Sequence, residues 1–142
     1  MFTKCILRSA DVVLLMAGTN DICVPCNKDH LRPSTSLQDF RNHLDKLLTV
    51  IRKKFPNAVI VVHDLFPRFN SWKWRYNMSN SALLNLTCEY NSILSLCARG
   101  HANTLLAECY DDALCLLKTC LSKDGLHLSP GGYDLLRSHF TR

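Results

Sequence analysis

Asp11-Val12-Val13-Leu14-Leu15-Met16-Ala17-Gly18-Thr19-Asn20-Asp21 is the stretch on which the fold turns. The apolar run Val12 to Met16 is far short of a membrane span and has the length of a strand covered on both faces. Gly18 permits a tight exit from that strand, and Asn20 then presents a side-chain amide at its carboxyl end. Taken alone, Gly-x-Asn-Asp is an ordinary turn.

The same grammar recurs downstream. Ala58 to Val62 is a second continuous apolar run, launched from Pro56-Asn57, and Thr104 to Ala107 is a weaker third. Between the first two, Leu37, Phe40, Leu44, Leu47, Leu48, Ile51 and Phe55 recur at three- and four-residue steps, with Ser36 and Asp39 forming a capping box. Leu83, Leu86, Tyr90, Ile93, Leu94 and Cys97 form a second helical stripe that Gly100 should stop. A last helix is expected where Ser129 caps and Pro130 takes the first position, with Tyr133, Leu136 and Phe140 inward. The apolar segment Ala113 to Leu121 has no clear type. Alternating strands and helices predict a parallel sheet with right-handed crossovers. Chemistry should then lie at the carboxyl edge, in residues 18–35, 63–79 and 108–129.

The last of those loops ends Asp124-Gly125-Leu126-His127-Leu128-Ser129-Pro130. An Asp three residues before a His can accept a hydrogen bond from the imidazole Nδ1–H, which fixes the tautomer and leaves Nε2 as a general base. Either motif alone is commonplace. Together, a strand ending in Gly-x-Asn-Asp and an Asp-x-x-His about a hundred residues later, before a final helix, resemble the SGNH (GDSL-type) hydrolase family. The likeness runs from Asp11 to Leu128. Within it, Phe55 to Val62, Leu65-Phe66-Pro67-Arg68 and Asp124 to Leu128 look most like the esterase domains encoded by certain animal retrotransposons.

The resemblance implies a three-layer, flavodoxin-like α/β fold, with residues 1–142 as a single domain. It also implies hydrolysis of acyl esters, with Asn20 donating to the oxyanion, His127 as general base and Asp124 as its orienting partner. No cofactor and no metal are implied. One departure is large: the family's nucleophilic serine sits in a Gly-Asp-Ser motif, and no Gly-Asp-Ser occurs in these 142 residues. The chain therefore reads as the C-terminal two-thirds of such a domain, its first strands missing, and inactive by itself. Ser9 lies at the wrong edge, about 20 Å from Asn20 at roughly 3.3 Å per strand residue. Ser34, Ser36, Ser71, Cys23 and Cys26 fall at the right edge, but no strand-to-helix turn aims them.

With 47% hydrophobic and 20% charged residues, the composition is that of a globular protein. No secretory leader is evident, so a cytoplasmic location is expected. The net charge of +5 is uneven: residues 1–76 hold 12 Lys/Arg against 6 Asp/Glu, and residues 77–142 hold 5 against 6. Arg52-Lys53-Lys54 reads as a solvated helix face. Phe66 to Tyr76 interleaves basic and aromatic residues, a pattern that fits a loop simply packed down and is otherwise suited to single-stranded nucleic acid, a lipid surface or a substrate wall. The alternative to an esterase is a non-catalytic remnant that binds nucleic acid, a membrane surface or a protein partner, with Arg68, Lys73 and Arg75 as the phosphate contacts in the nucleic-acid case. The eight cysteines are irregularly spaced; Cys23-Val-Pro-Cys26 with His30 is half a zinc site, and free thiols are the expectation. The unpaired edge of Val12 to Met16 is expected to promote self-association or to take a strand from a partner.

Overall fold

The computed structural model describes residues 9–22, 35–69, 79–108, 120–125 and 127–140. The order is β1 (Val12–Leu15), α1 (Thr19–Ile22), α2 (Leu37–Lys54), β2 (Val59–His63), α3 (Asn80–Gly100), β3 (Thr104–Ala107) and α4 (Pro130–Phe140). The three strands form one parallel sheet in the order β1-β2-β3. A parallel sheet with flanking helices is consistent with the three-layer α/β fold expected from the sequence.

Serines start α2, α3 and α4. Ser36 Oγ accepts from the Asp39 amide, Ser79 Oγ from that of Ala82, and Ser129 Oγ from that of Gly132. Each satisfies a first-turn N–H that has no partner within the helix. Gly100 is the last residue of α3, but the left-handed backbone that follows belongs to Asn103, at φ 51°. Asparagine tolerates that region better than most residues.

The core lies on one face of the sheet. Ile60 and Val62, flanked by Leu15 and Leu106, pack with Phe40, Leu44 and Leu48 of α2 and with Leu83, Tyr90, Leu94, Cys97 and Ala98 of α3. Two successive crossovers of the same hand, stepping in the same direction across the sheet, bring both helices to this side. On the opposite face the register aligns Val12 with Val59, and Leu14 with Val61 and Leu105. Here the expectation of a strand covered twice fails: Val12 is 60%, Leu14 47% and Leu105 58% exposed. Tyr133, expected inward on α4, is also exposed, and the side chain of Phe140 is outside the description.

Arg52 is no part of a solvated face. Its Nη1 donates to the carbonyls of Ala58 at 2.6 Å and Pro56 at 3.0 Å, and its Nη2 to those of Ala102 at 2.6 Å and Asn103 at 3.1 Å. A planar fork can hold the approaches to two strands at once. It thus ties the end of α2 to the starts of β2 and β3, leaving the carboxyl edge to the loops.

Candidate active site

Asn20 sits in α1, a single turn directly beyond β1. Gly18 makes that turn at φ +113°, and a Cβ there would meet the Phe40 ring at 2.9 Å, so the position requires glycine twice over. The Asp21 amide donates back to the Gly18 carbonyl at 2.9 Å, and Thr35 Oγ1 donates to Asp21 Oδ1 at 2.6 Å. The buried Tyr90 shares its hydroxyl proton between the carbonyls of Asp21 and Thr35. The turn that presents Asn20 is therefore anchored on α3.

At the other end of the chain, His127 Nδ1 lies 2.6 Å from Asp124 Oδ2, and the His127 amide donates to Asp124 Oδ1 at 3.0 Å. Ser122 Oγ donates to that same Oδ1 at 2.5 Å. The imidazole side chain is 66% exposed and the carboxylate 16%. A carboxylate held from two sides and bonded to Nδ1 sets the ring so that Nε2 faces outward, as a general base requires.

A small frame carries this pair. Leu121 and Leu128 form an antiparallel bridge, the Ser122 amide donates to the His127 carbonyl at 2.7 Å, and Gly125 turns the chain at φ +70°. The Ser129 amide closes it by donating to the Cys120 carbonyl at 2.7 Å.

The segment after β2 joins the two halves. Asn91 of α3 clasps Leu65 from both sides, accepting from its amide at 2.7 Å and donating to its carbonyl at 3.1 Å. Three residues on, Arg68 Nη2 donates to Asn20 Oδ1 at 3.0 Å. The next amide, of Phe69, donates to the Gly125 carbonyl at 3.0 Å. Residues 64–69 thus bond to the Asn20 turn and to the Asp124–His127 loop.

Arg68 is only 1% exposed. Its expected role as a phosphate contact is overturned, because a guanidinium buried against Asn20 cannot reach a strand of nucleic acid. The remainder of that stretch, Asn70 to Tyr76, lies outside the described residues, as do Cys23, Cys26 and His30. Ser36, at the right edge by sequence, is spent as the α2 cap.

Sequence reasoning missed Arg68, Asn91 and Ser122 as parts of the site. The signal for Arg68 was present, since it lies at the carboxyl edge one loop away from Asn20. Asn91 is hidden as a polar position on an apolar helix stripe. His63 and Asp64 end β2 as a buried pair, with His63 Nδ1 at 2.6 Å from the Asp64 carbonyl. Cys97 is buried, and desolvation, with the Asp45 carboxylate beside it, raises its thiol to about 11. Such a thiol is a poor nucleophile. Cys88, Cys97 and Cys120 are free thiols, and the other five cysteines are outside the description. No group of metal-ligating side chains occurs among the described residues.

Residues 6–135 match the model of the GDSL-like Lipase/Acylhydrolase family. The chain belongs to that family. Solved structures agree on the fold of this GDSL-like chain. A protein from Streptococcus pneumonia, provisionally described as a platelet activating factor, superposes with a TM-score of 0.70 at 23% identity, covering 92% of this chain and 58% of its own. A provisional GDSL-like lipase from Parabacteroides merdae gives 0.59 at 21% identity, covering 75% and 49%. A peptidoglycan O-acetylesterase gives 0.59 at 18% identity, covering 93% and 37%. The GDSL-like chain therefore spans between about a third and three-fifths of these proteins. No match is found among curated proteins. Among the described residues, no helix is long and apolar enough to cross a membrane.

Proposed function

We propose that this GDSL-like chain carries the acid–base and oxyanion half of a serine esterase site acting on acyl esters. His127 takes the proton from an attacking hydroxyl at Nε2, Asp124 holds the ring and stabilises the imidazolium, and Asn20 donates its amide to the tetrahedral oxyanion. The 2.6 Å bond between His127 Nδ1 and Asp124 Oδ2, on a ring otherwise open to solvent, is the observation that carries the reading. Membership in a lipase/acylhydrolase family and likeness to a peptidoglycan O-acetylesterase support the ester class. The stretches 55–62, 65–68 and 124–128 support a closer kinship with retrotransposon-encoded esterase domains.

The nucleophilic serine belongs to a Gly-Asp-Ser motif that these residues do not contain. The 142-residue chain is expected to show no turnover of short-chain aryl esters above background. Adding a segment bearing that motif from a related intact domain should restore turnover that His127→Ala abolishes. Labelling by a serine-directed organophosphate marks the nucleophile. Robust, His127-dependent turnover and stoichiometric labelling of the unsupplemented chain would refute the missing nucleophile; restored turnover indifferent to His127 would refute the site.

A second reading concerns the outer face of the sheet. Val12, Leu14 and Leu105 are exposed together there, and among the described residues β1 is paired on one edge only. An unpaired apolar edge templates association, so we infer that two copies of this chain meet at β1. Sedimentation at micromolar concentration measures it, and a monomer at every concentration would end the idea.

A further inference from the structure

We propose that Arg68 is a positioning residue for the Asn20 amide, fixing which end of that amide can serve as a donor and strengthening it. The inference rests on Asn20 acting as the oxyanion donor. A guanidinium can only donate hydrogen bonds, so the Asn20 atom 3.0 Å from Arg68 Nη2 must be the carbonyl oxygen. The amide nitrogen is thereby placed on the other limb of the amide plane. Without a donor-only neighbour an asparagine amide can turn over and offer its oxygen instead, which would repel a developing oxyanion.

Burial strengthens the argument. Arg68 is 1% exposed while Asn20, one shell outward, is exposed, so the charge sits behind the amide rather than beside it in solvent. In a low-dielectric setting a charged donor on the amide oxygen polarises the group and makes its N–H hydrogens better donors. Preorganised donors of this kind need no rearrangement when the reaction occurs.

The backbone supports such a role. Leu65 is clasped on both sides by Asn91, and the Phe69 amide is bonded to the Gly125 carbonyl, so the segment holding Arg68 is fixed three residues before it and at the residue after it. Arg68 is consequently a strut between the Asn20 turn and the loop of Asp124 and His127. It sets the amide in register with the general base across the carboxyl edge of the sheet.

The test is spectroscopic and uses the full chain. In the wild type the two Asn20 side-chain amide protons should resonate downfield of those of a solvated asparagine, because the guanidinium on the amide oxygen withdraws electron density from the N–H bonds. Arg68→Met should return both protons to the shifts of a solvated asparagine, while backbone resonances of α2 and α3 stay in place. A stability cycle supplies a second measurement: Asn20→Asp places a carboxylate on the guanidinium, so it should be tolerated with Arg68 and destabilising with Arg68→Met. The expected coupling is on the order of tenfold in the unfolding equilibrium. Should Arg68→Met fail to fold, the cycle is run with Arg68→Lys, which keeps the charge but not the fork and should show a weaker coupling of the same sign. An Asn20 amide indifferent to Arg68, or a cycle without coupling, would overturn the proposal. An amide locked by Arg68 in a reconstituted domain whose turnover ignores Asn20→Ala would instead refute the oxyanion reading and leave the positioning intact.

Discussion

Replacing Gly132 by alanine sets helix propensity against sterics, and the structure decides the sign. Gly132 lies in the first turn of α4, and a Cβ built there falls 2.2 Å from the Cys120 carbonyl oxygen and 3.2 Å from Leu128 Cδ2. Ordinary carbon–oxygen contacts are about 3.3 Å or longer, so the helix and residue 120 must part by about 1 Å. That same carbonyl accepts the Ser129 amide at 2.7 Å, and a shift of this size takes the bond beyond hydrogen-bonding range. Alanine gains up to about 1 kcal/mol in propensity. Overpacking costs about 1–3 kcal/mol, and the stranded carbonyl and amide a similar amount.

The net loss is about 3 kcal/mol, a large share of a total stability of about 5–15 kcal/mol, and equivalent to a fall of about 10 °C in Tm. Gly131→Ala is the control, since its Cβ would meet nothing nearer than Ser129 Oγ at 3.9 Å. It should melt with the wild type or slightly above it. Thermal and urea melts followed by circular dichroism compare the three chains, and the His127 ring resonances report whether the Asp124 bond survives. If Gly132→Ala melts at or above the wild type, the contact between α4 and residue 120 does not hold the site as argued.

Cys97 gives a pH dependence of definite sign. Its thiol is raised from 9.0 to about 11 in the folded chain, so between those values the unfolded chain has shed a proton that the folded chain keeps; stability is intact below about pH 9 and falls as pH rises to about 11. Urea midpoints across this range should fall more steeply for the wild type than for Cys97→Ala, and parallel curves would refute the assignment. Association through β1 should disappear in Leu14→Glu, which puts a charge on the exposed face without touching the core; unchanged sedimentation of a dimer in that variant would move the interface elsewhere.

The sheet was legible because its three strands are short apolar runs, and because both connecting helices keep a strict apolar stripe and a serine cap. Ser36, Ser79 and Ser129 all cap, and the expected bounds of β3 coincide with Thr104–Ala107. The turn Thr19–Ile22 was not legible as a helix. Four residues carry no periodicity, and what holds them is tertiary: Tyr90 comes from a helix 69 positions away from Asp21. Hydrophobic runs also overstate burial. Val12, Leu14 and Leu105 have the same apolarity as Val62 and Ile60, and only the register shows which face the helices chose.

Charge misled in a more instructive way. Arg52 and Arg68 both stand in basic clusters, which suggests solvent or a polyanion, and the structure gives both internal work instead. Arg52 collects carbonyls at the amino edge of the sheet, and Arg68 meets Asn20 at the carboxyl edge. A guanidinium presents five donors in a fixed planar fork where an ammonium offers three that rotate about one point, which suits it to joining segments distant in sequence. Such segments cannot be paired from a single sequence, because the partner of each arginine is a main-chain carbonyl or an amide with no pattern of its own. The pair Asp124 and His127 was legible for the opposite reason. Its partners are three residues apart, and a local turn suffices to bring them together. What the sequence could not supply is the relation of that pair to Asn20, and the bonds that establish it run through Arg68 and Phe69.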